Sequence, residues 1–115
     1  MPIAEEREAT ALVNAWLYVA LADGDLDETE QAVLDERIAQ LYPVLPDGAF
    51  ARMFGKAIVS IAMSTKDELF ELITPDTRDE GERLLENLRL LGERKGGLDP
   101  NEQARLSEVT RVCIP

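Results

Sequence analysis

The chain has 115 residues, 45% of them apolar and 30% charged, with a formal net charge of −11, a composition that describes one folded domain rather than a disordered chain. With no histidine and a single cysteine, Cys113, imidazole acid–base chemistry, histidine-assisted nucleophiles, intramolecular disulfides and cysteine-rich zinc sites are excluded. The negative charge also argues against nucleic acid and anionic membrane surfaces as direct partners, because both bind clustered Lys and Arg.

Apolar residues recur at helical spacing along the whole chain, and no segment alternates with period two. Ala9, Leu12, Val13, Trp16, Leu17, Ala20 and Leu21 mark one face of a first helix over about 3–22, which Gly24 ends. A second helix starts after Asp27 and carries Val33, Leu34, Ile38 and Leu41 as far as "YPVLPDG", whose two prolines no helix crosses. A third, over about 47–64, shows Phe50, Met53, Phe54, Ala57, Ile58 and Ile61 on one face. "STKDELFELI" predicts a short fourth helix with Thr65 and Glu68 as a capping box.

Thr74 before Pro75 predicts the start of a fifth helix, since proline suits the first helical position. Leu84, Leu85, Leu88 and Leu91 give that helix its buried stripe and "KGG" stops it; a last helix follows Asp99 with Ala104, Leu106, Val109 and Val112. Six helices with short connections predict an all-α domain over residues 1–115. These stripes read as core, and so do Trp16 and Cys113, which are expected as buried helix residues rather than cofactor contacts.

Two loop-to-helix junctions are copies of one another. "GDLDETEQAVLDE" (24–36) aligns without gaps to "GGLDPNEQARLSE" (96–108), with eight of thirteen positions identical. The expectation is a pair of helix–turn–helix units, over 9–41 and 81–113, related by an internal repeat and a pseudo-twofold axis. The shared residues have a structural reason to recur. Gly24 and Gly96 supply the left-handed conformation that ends a helix. Leu26 and Leu98 stand before the cap, where a side chain can staple against the new helix. Asp27 and Asp99 are N-caps, completed three residues on by Glu30 and Glu102, and each cap is worth about 1 kcal/mol.

The first copy carries more acid than capping needs. Asp23, Asp25, Asp27 and Glu28 stand within six residues, and the first 40 residues hold ten acids and two bases, against nine and seven over 73–115. The D-x-D-x-D start of a calcium loop is present, but Glu28 and Leu34 occupy the positions where an EF-hand needs Gly and Glu. A looser oxygen site for Ca²⁺ or Mg²⁺, built from Asp23, Asp25, Asp27, Glu28 and Glu30, stands beside the purely structural reading. Only Asp23, Asp25 and Glu28 are peculiar to this copy and unexplained by turn and cap.

"ALADGDLDETE" resembles the signature of TerB-like domains, the tellurite-resistance TerB family: a small residue, Asp-Gly, an apolar residue and a Glu further on. The resemblance covers the first 40 residues well and the last 25 in part. It implies an all-α fold of two related halves, a place in bacterial tellurite and stress responses, cation binding through the motif's acids, and a scaffold role. Carried over, the motif falls on Asp23, Gly24 and Glu30. The second copy departs from it: Lys95 stands where the first has Asp23, so a cation there would meet a positive charge.

The expectation is a non-enzymatic interaction domain with no catalytic residues, meeting a cation or a protein partner with a basic surface. Two alternatives are a metal-assisted hydrolase that adds Glu80, Glu82 or Glu86 to the loop acids, and an acidic protein that mimics a polyanion. A homodimer through an uncovered helix stripe is open as well, since periodicity alone does not say which stripe stays exposed. The negative "MPIAEEREAT" and the short run "ALVNAWLYVALA" give neither a signal sequence nor a bilayer span, so cytoplasmic residence without membrane insertion is expected.

Overall fold

The computed structural model describes residues 3–24, 26–43, 45 and 48–114, with the side chains of residues 3–5 and 23 outside that description. The described residues form six α-helices and no strand: α1 Ile3–Ala20, α2 Glu28–Leu41, α3 Ala49–Met63, α4 Lys66–Ile73, α5 Arg78–Arg94 and α6 Pro100–Cys113. A short 3-10 turn, Leu21–Asp23, extends α1 to Gly24.

The core is organised around α1. Leu12, Val13, Trp16, Leu17 and Val19 are all essentially inaccessible to solvent, and α3, α4, α5 and α6 all pack on this helix. That placement explains why the sequence of α1 is apolar on more than one face: a helix surrounded by others has little surface left to present to water. Leu34 and Ile38 of α2, Leu84, Leu85, Leu88 and Leu91 of α5, and Val109 of α6 close the same core. Trp16, Cys113 and the α5 leucines are therefore core as expected, whereas Ile58 of α3 is 37% exposed and Ala104 of α6 is exposed, because each turns away from the side of its helix that packs on the core. None of the described helices is long and apolar enough to cross a membrane.

One expected boundary is corrected. Thr74 does not open α5. It ends α4, with its backbone N–H and its hydroxyl both donating to the Phe70 carbonyl, and Pro75 brings no N–H to extend that helix. The N-cap of α5 is Thr77, whose hydroxyl oxygen accepts from the Glu80 N–H at 3.2 Å. Glu80 reaches back to the Asp76 N–H at 3.0 Å, which fixes the start of α5 three residues beyond Thr74. The start of α3 is at Ala49 after Gly48, which is left-handed; Asp47, expected there, lies outside the described residues. The capping box of Thr65 and Glu68 on α4 is formed as expected.

Candidate functional site

The two copied junctions fold alike. Gly24 has φ 95° and Gly96 has φ 106°, so both sit in the left-handed region where a side chain is strained and glycine is not. In the first copy the Asp27 carboxylate accepts from the Glu30 N–H at 2.7 Å, and Glu30 Oε1 accepts from the Asp27 N–H at 3.0 Å. In the second, Asp99 and Glu102 make the same reciprocal pair at 2.8 and 3.0 Å. Leu98, before the second cap, presses on the preceding helix: a Cβ at Gly92 would stand 3.0 Å from its Cγ. Gly24 caps the turn after α1, Asp27 with Glu30 and Asp99 with Glu102 form the two capping boxes, and Gly96 follows Lys95, the C-cap of α5, in left-handed conformation.

The capping glutamates do a second job beyond closing the caps. Glu30 and Glu102 are 2% and 1% exposed, an unusual depth for charged groups, which are buried almost only when paired. Their partner is Lys95. Its ammonium donates to Glu30 Oε2 at 2.7 Å and to both oxygens of Glu102 at 2.8 and 2.7 Å. Lys95 is the C-cap of α5, and its side chain bridges its own motif to the other copy, 65 residues earlier in the chain. All three N–H donors of an ammonium match the three oxygens offered.

Burial pushes the Glu30 carboxyl above its ordinary range, although the Lys95 ammonium and the Asp27 N–H pull the other way. Burial works against the charge on Lys95 as well, but hydrogen bonds to Glu102 and Glu30 outweigh it and hold the ammonium above the ordinary lysine value. Trp16 completes the arrangement: its buried indole N–H donates to the Glu30 carbonyl at 3.0 Å, tying the first turn of α2 to the centre of α1.

This geometry bears directly on the cation that the TerB resemblance implies. Both oxygens of Glu30 are already taken, one by Lys95 and one by the Asp27 N–H, and one Asp27 oxygen is taken by the Glu30 N–H. Glu30 therefore does not fit as a free ligand: the cation at its carboxylate is the chain's own ammonium. Glu28 is exposed in the first turn of α2. Asp25 and the Asp23 carboxylate lie outside the described residues. Among the described residues no three carboxylates or thiols are grouped so as to hold a metal ion.

The additional acids weighed for a hydrolase are elsewhere, and two of the three are engaged in ion pairs. Glu80 pairs with Arg7 at 2.7 Å and Glu82 with Arg78 at 3.2 Å, while Glu86 is exposed. With a helical rise of 1.5 Å per residue, Glu80 and Glu82 stand about 20 Å, and Glu86 about 13 Å, along α5 from Lys95. The fold thus does not gather them at the end of α5 that meets the first motif.

A glutamate in the third helical position signals a capping box, and that reading was correct. The signal for its second role was also present, in the replacement of Asp23 by Lys95 in the second copy. What periodicity could not give is the approach of the two junctions in space, which brings that lysine to both glutamates. No curated protein and no solved structure matches the chain. Residues 2–53, a little under half of it, match the model of the family described as tellurite resistance protein TerB. That stretch includes α1, the first motif and α2, so the resemblance carried by "ALADGDLDETE" holds over residues 2–53.

Proposed function

We propose that the chain is a non-enzymatic interaction domain of TerB type, serving a bacterial stress response of the tellurite kind. Its binding face is the acidic first loop: Asp27 and Glu28 with Asp23 and Asp25. The partner is a protein with a basic surface. The observation that carries this reading is the internal use of Glu30. With that carboxylate consumed by Lys95 and the Asp27 N–H, the fold has taken the buried carboxylate of the motif for itself. Of the acids left over, Asp27 and Glu28 are exposed. Exposed carboxylates steer and recognise a basic surface, whereas tight Ca²⁺ binding needs six to eight organised oxygens. The two motif units are, on the same reading, an internal repeat in which only the first copy retains the interacting acids.

The test is an NMR titration of the full chain with a short oligo-lysine peptide, and separately with Ca²⁺ and Mg²⁺. The peptide should move the Gly24, Asp27 and Glu28 amides in a salt-sensitive way, and the double substitution Asp23→Asn with Asp25→Asn should weaken it. If those amides stay still with the peptide, the proposal fails. A Ca²⁺ response at about millimolar levels that the double substitution abolishes would instead make the loop a cation site.

A further inference from the structure

The outer face of α3 has no use in the fold described so far. α3 packs on α1 through Met53 and Ala57, which are buried. Its opposite side exposes Ala51, Gly55, Ile58, Val59, Ala62 and Met63, with Val59 60% and Met63 81% accessible. Those positions recur three and four residues apart, the spacing of a helix–helix seam. All the large hydrophobics exposed among the described residues lie here or on α4, where Leu72 is the fourth.

Two further observations concern what could cover this face. First, Gly55 sits in the interior of an exposed helix, where glycine costs about 1 kcal/mol against alanine. A Cβ at that position would meet nothing within 4 Å, so no packing inside the chain demands the glycine. A missing side chain on a helix surface lets another helix come closer. Second, the charges are segregated. The only charged residues of α3 are Arg52 and Lys56, both exposed and in its first half, with no ion pair among the described residues. Beyond the end of α3, α4 exposes Asp67, Glu68 and Glu71, while its one cation, Lys66, is paired with Glu108 at 2.8 Å. The segment is therefore basic at one end, apolar in the middle and acidic at the other, in a protein of net charge −11.

We infer that the α3 face, continued onto α4, binds a second copy of this chain, α3 against α3 in antiparallel fashion about a twofold axis. An antiparallel pairing superposes the basic end of one copy on the acidic end of the other, and the twofold makes both ends complementary at once. The stripe of Ala51, Gly55, Val59 and Ala62 forms the seam, with Gly55 allowing close approach and Met63 filling the gaps that remain.

Sedimentation of the full chain across a wide concentration range tests this. The wild type should pass from monomer to dimer. Val59→Asp, at a position too exposed to matter for folding, should remain monomeric at concentrations where the wild type is dimeric, with unchanged helicity and with the wild-type Tm at concentrations where both are monomeric. Arg52→Glu should weaken dimerisation several-fold, and adding Asp67→Arg to the same chain should restore it. A wild type that stays monomeric throughout overturns the inference, as does a Val59→Asp variant that dimerises equally well. Binding of a monomeric wild type to vesicles of anionic phospholipid, lost in Val59→Asp, would assign the face to a membrane surface and overturn it too.

Discussion

Substituting Lys95 by methionine isolates the contribution of the buried ammonium, because methionine keeps much of the side-chain volume and removes the charge together with its N–H donors. In the wild type one ammonium serves two carboxylates at 2.7–2.8 Å, in a place where Glu30, Glu102 and the Lys95 side chain are 2%, 1% and 12% exposed. Removing one partner of a buried pair costs about 3–5 kcal/mol, which for a domain of this size is about 10–25 °C in Tm. The loss should depend on pH. In Lys95→Met both carboxylates face burial without a counter-ion, which raises their folded-state pKa values. The folded variant then holds protons that the unfolded chain has released, so its stability falls as pH rises above the ordinary glutamate value.

Thermal unfolding followed by circular dichroism at several pH values should therefore show a small gap from wild type near pH 4 and a wide one near pH 8. Adding Glu30→Gln and Glu102→Gln to Lys95→Met should recover much of the loss at pH 8, since an amide oxygen can still accept from the cap N–H. A single variant within about 1 kcal/mol of wild type, or a gap indifferent to pH, would refute the reasoning.

Four other outcomes follow from particular contacts. Trp16→Phe removes the donor to the buried Glu30 carbonyl and should cost about 1–3 kcal/mol in urea unfolding, leaving helicity intact. Gly81→Ala places a Cβ 2.5 Å from the Cys113 carbonyl oxygen; the end of α6 must shift, at a cost of about 1–3 kcal/mol or more, while Gly55→Ala in the same assay should be neutral or stabilising. Cys113 is buried and its thiol is pushed up to about 11, so a thiol reagent at pH 8 should react at the rate of opening or unfolding, and freely only in denaturant. The Lys66 ammonium holds the Glu108 carboxyl below its ordinary 4.5; that stabilisation is present above pH 4.5 and lost as pH falls, so Glu108→Gln should lose less stability than wild type between about pH 5 and 3.

The helices were legible because their signals are local. Asp27 with Glu30 and Asp99 with Glu102 announce two helix starts within a single turn of chain, and Pro100 marks a first helical position. The start of α5 was misplaced because Thr74-Pro75 and Thr77 are both plausible beginnings; the choice between them depends on Glu80, which closes on Asp76. The acidic loop divided less cleanly. Sequence comparison of the two copies separated the caps from Asp23, Asp25 and Glu28, yet it could not show Glu30 bonded to a lysine 65 residues away. Such a contact is set by how α2, α5 and α6 converge, and no single segment encodes it. The same holds for the outer face of α3: periodicity put Phe50, Met53, Phe54, Ala57, Ile58 and Ile61 on one face, but only the packing on α1 shows that Ile58, Val59 and Met63 are left uncovered.

The Lys95 bridge also bears on how far the domain can be divided. The stretch that matches the TerB family ends at residue 53, but the counter-charge for its buried glutamate is supplied from the far side of that boundary. A fragment ending in the loop after α2 would keep Glu30 and lose Lys95, along with the helices that cover α1. Expressed alone it should be unstructured, and so should the complementary piece, which lacks its central helix. Mixed together, the two pieces carry everything needed to reassemble without a peptide bond between them, and Lys95 in one piece with Glu30 in the other would report that reassembly directly.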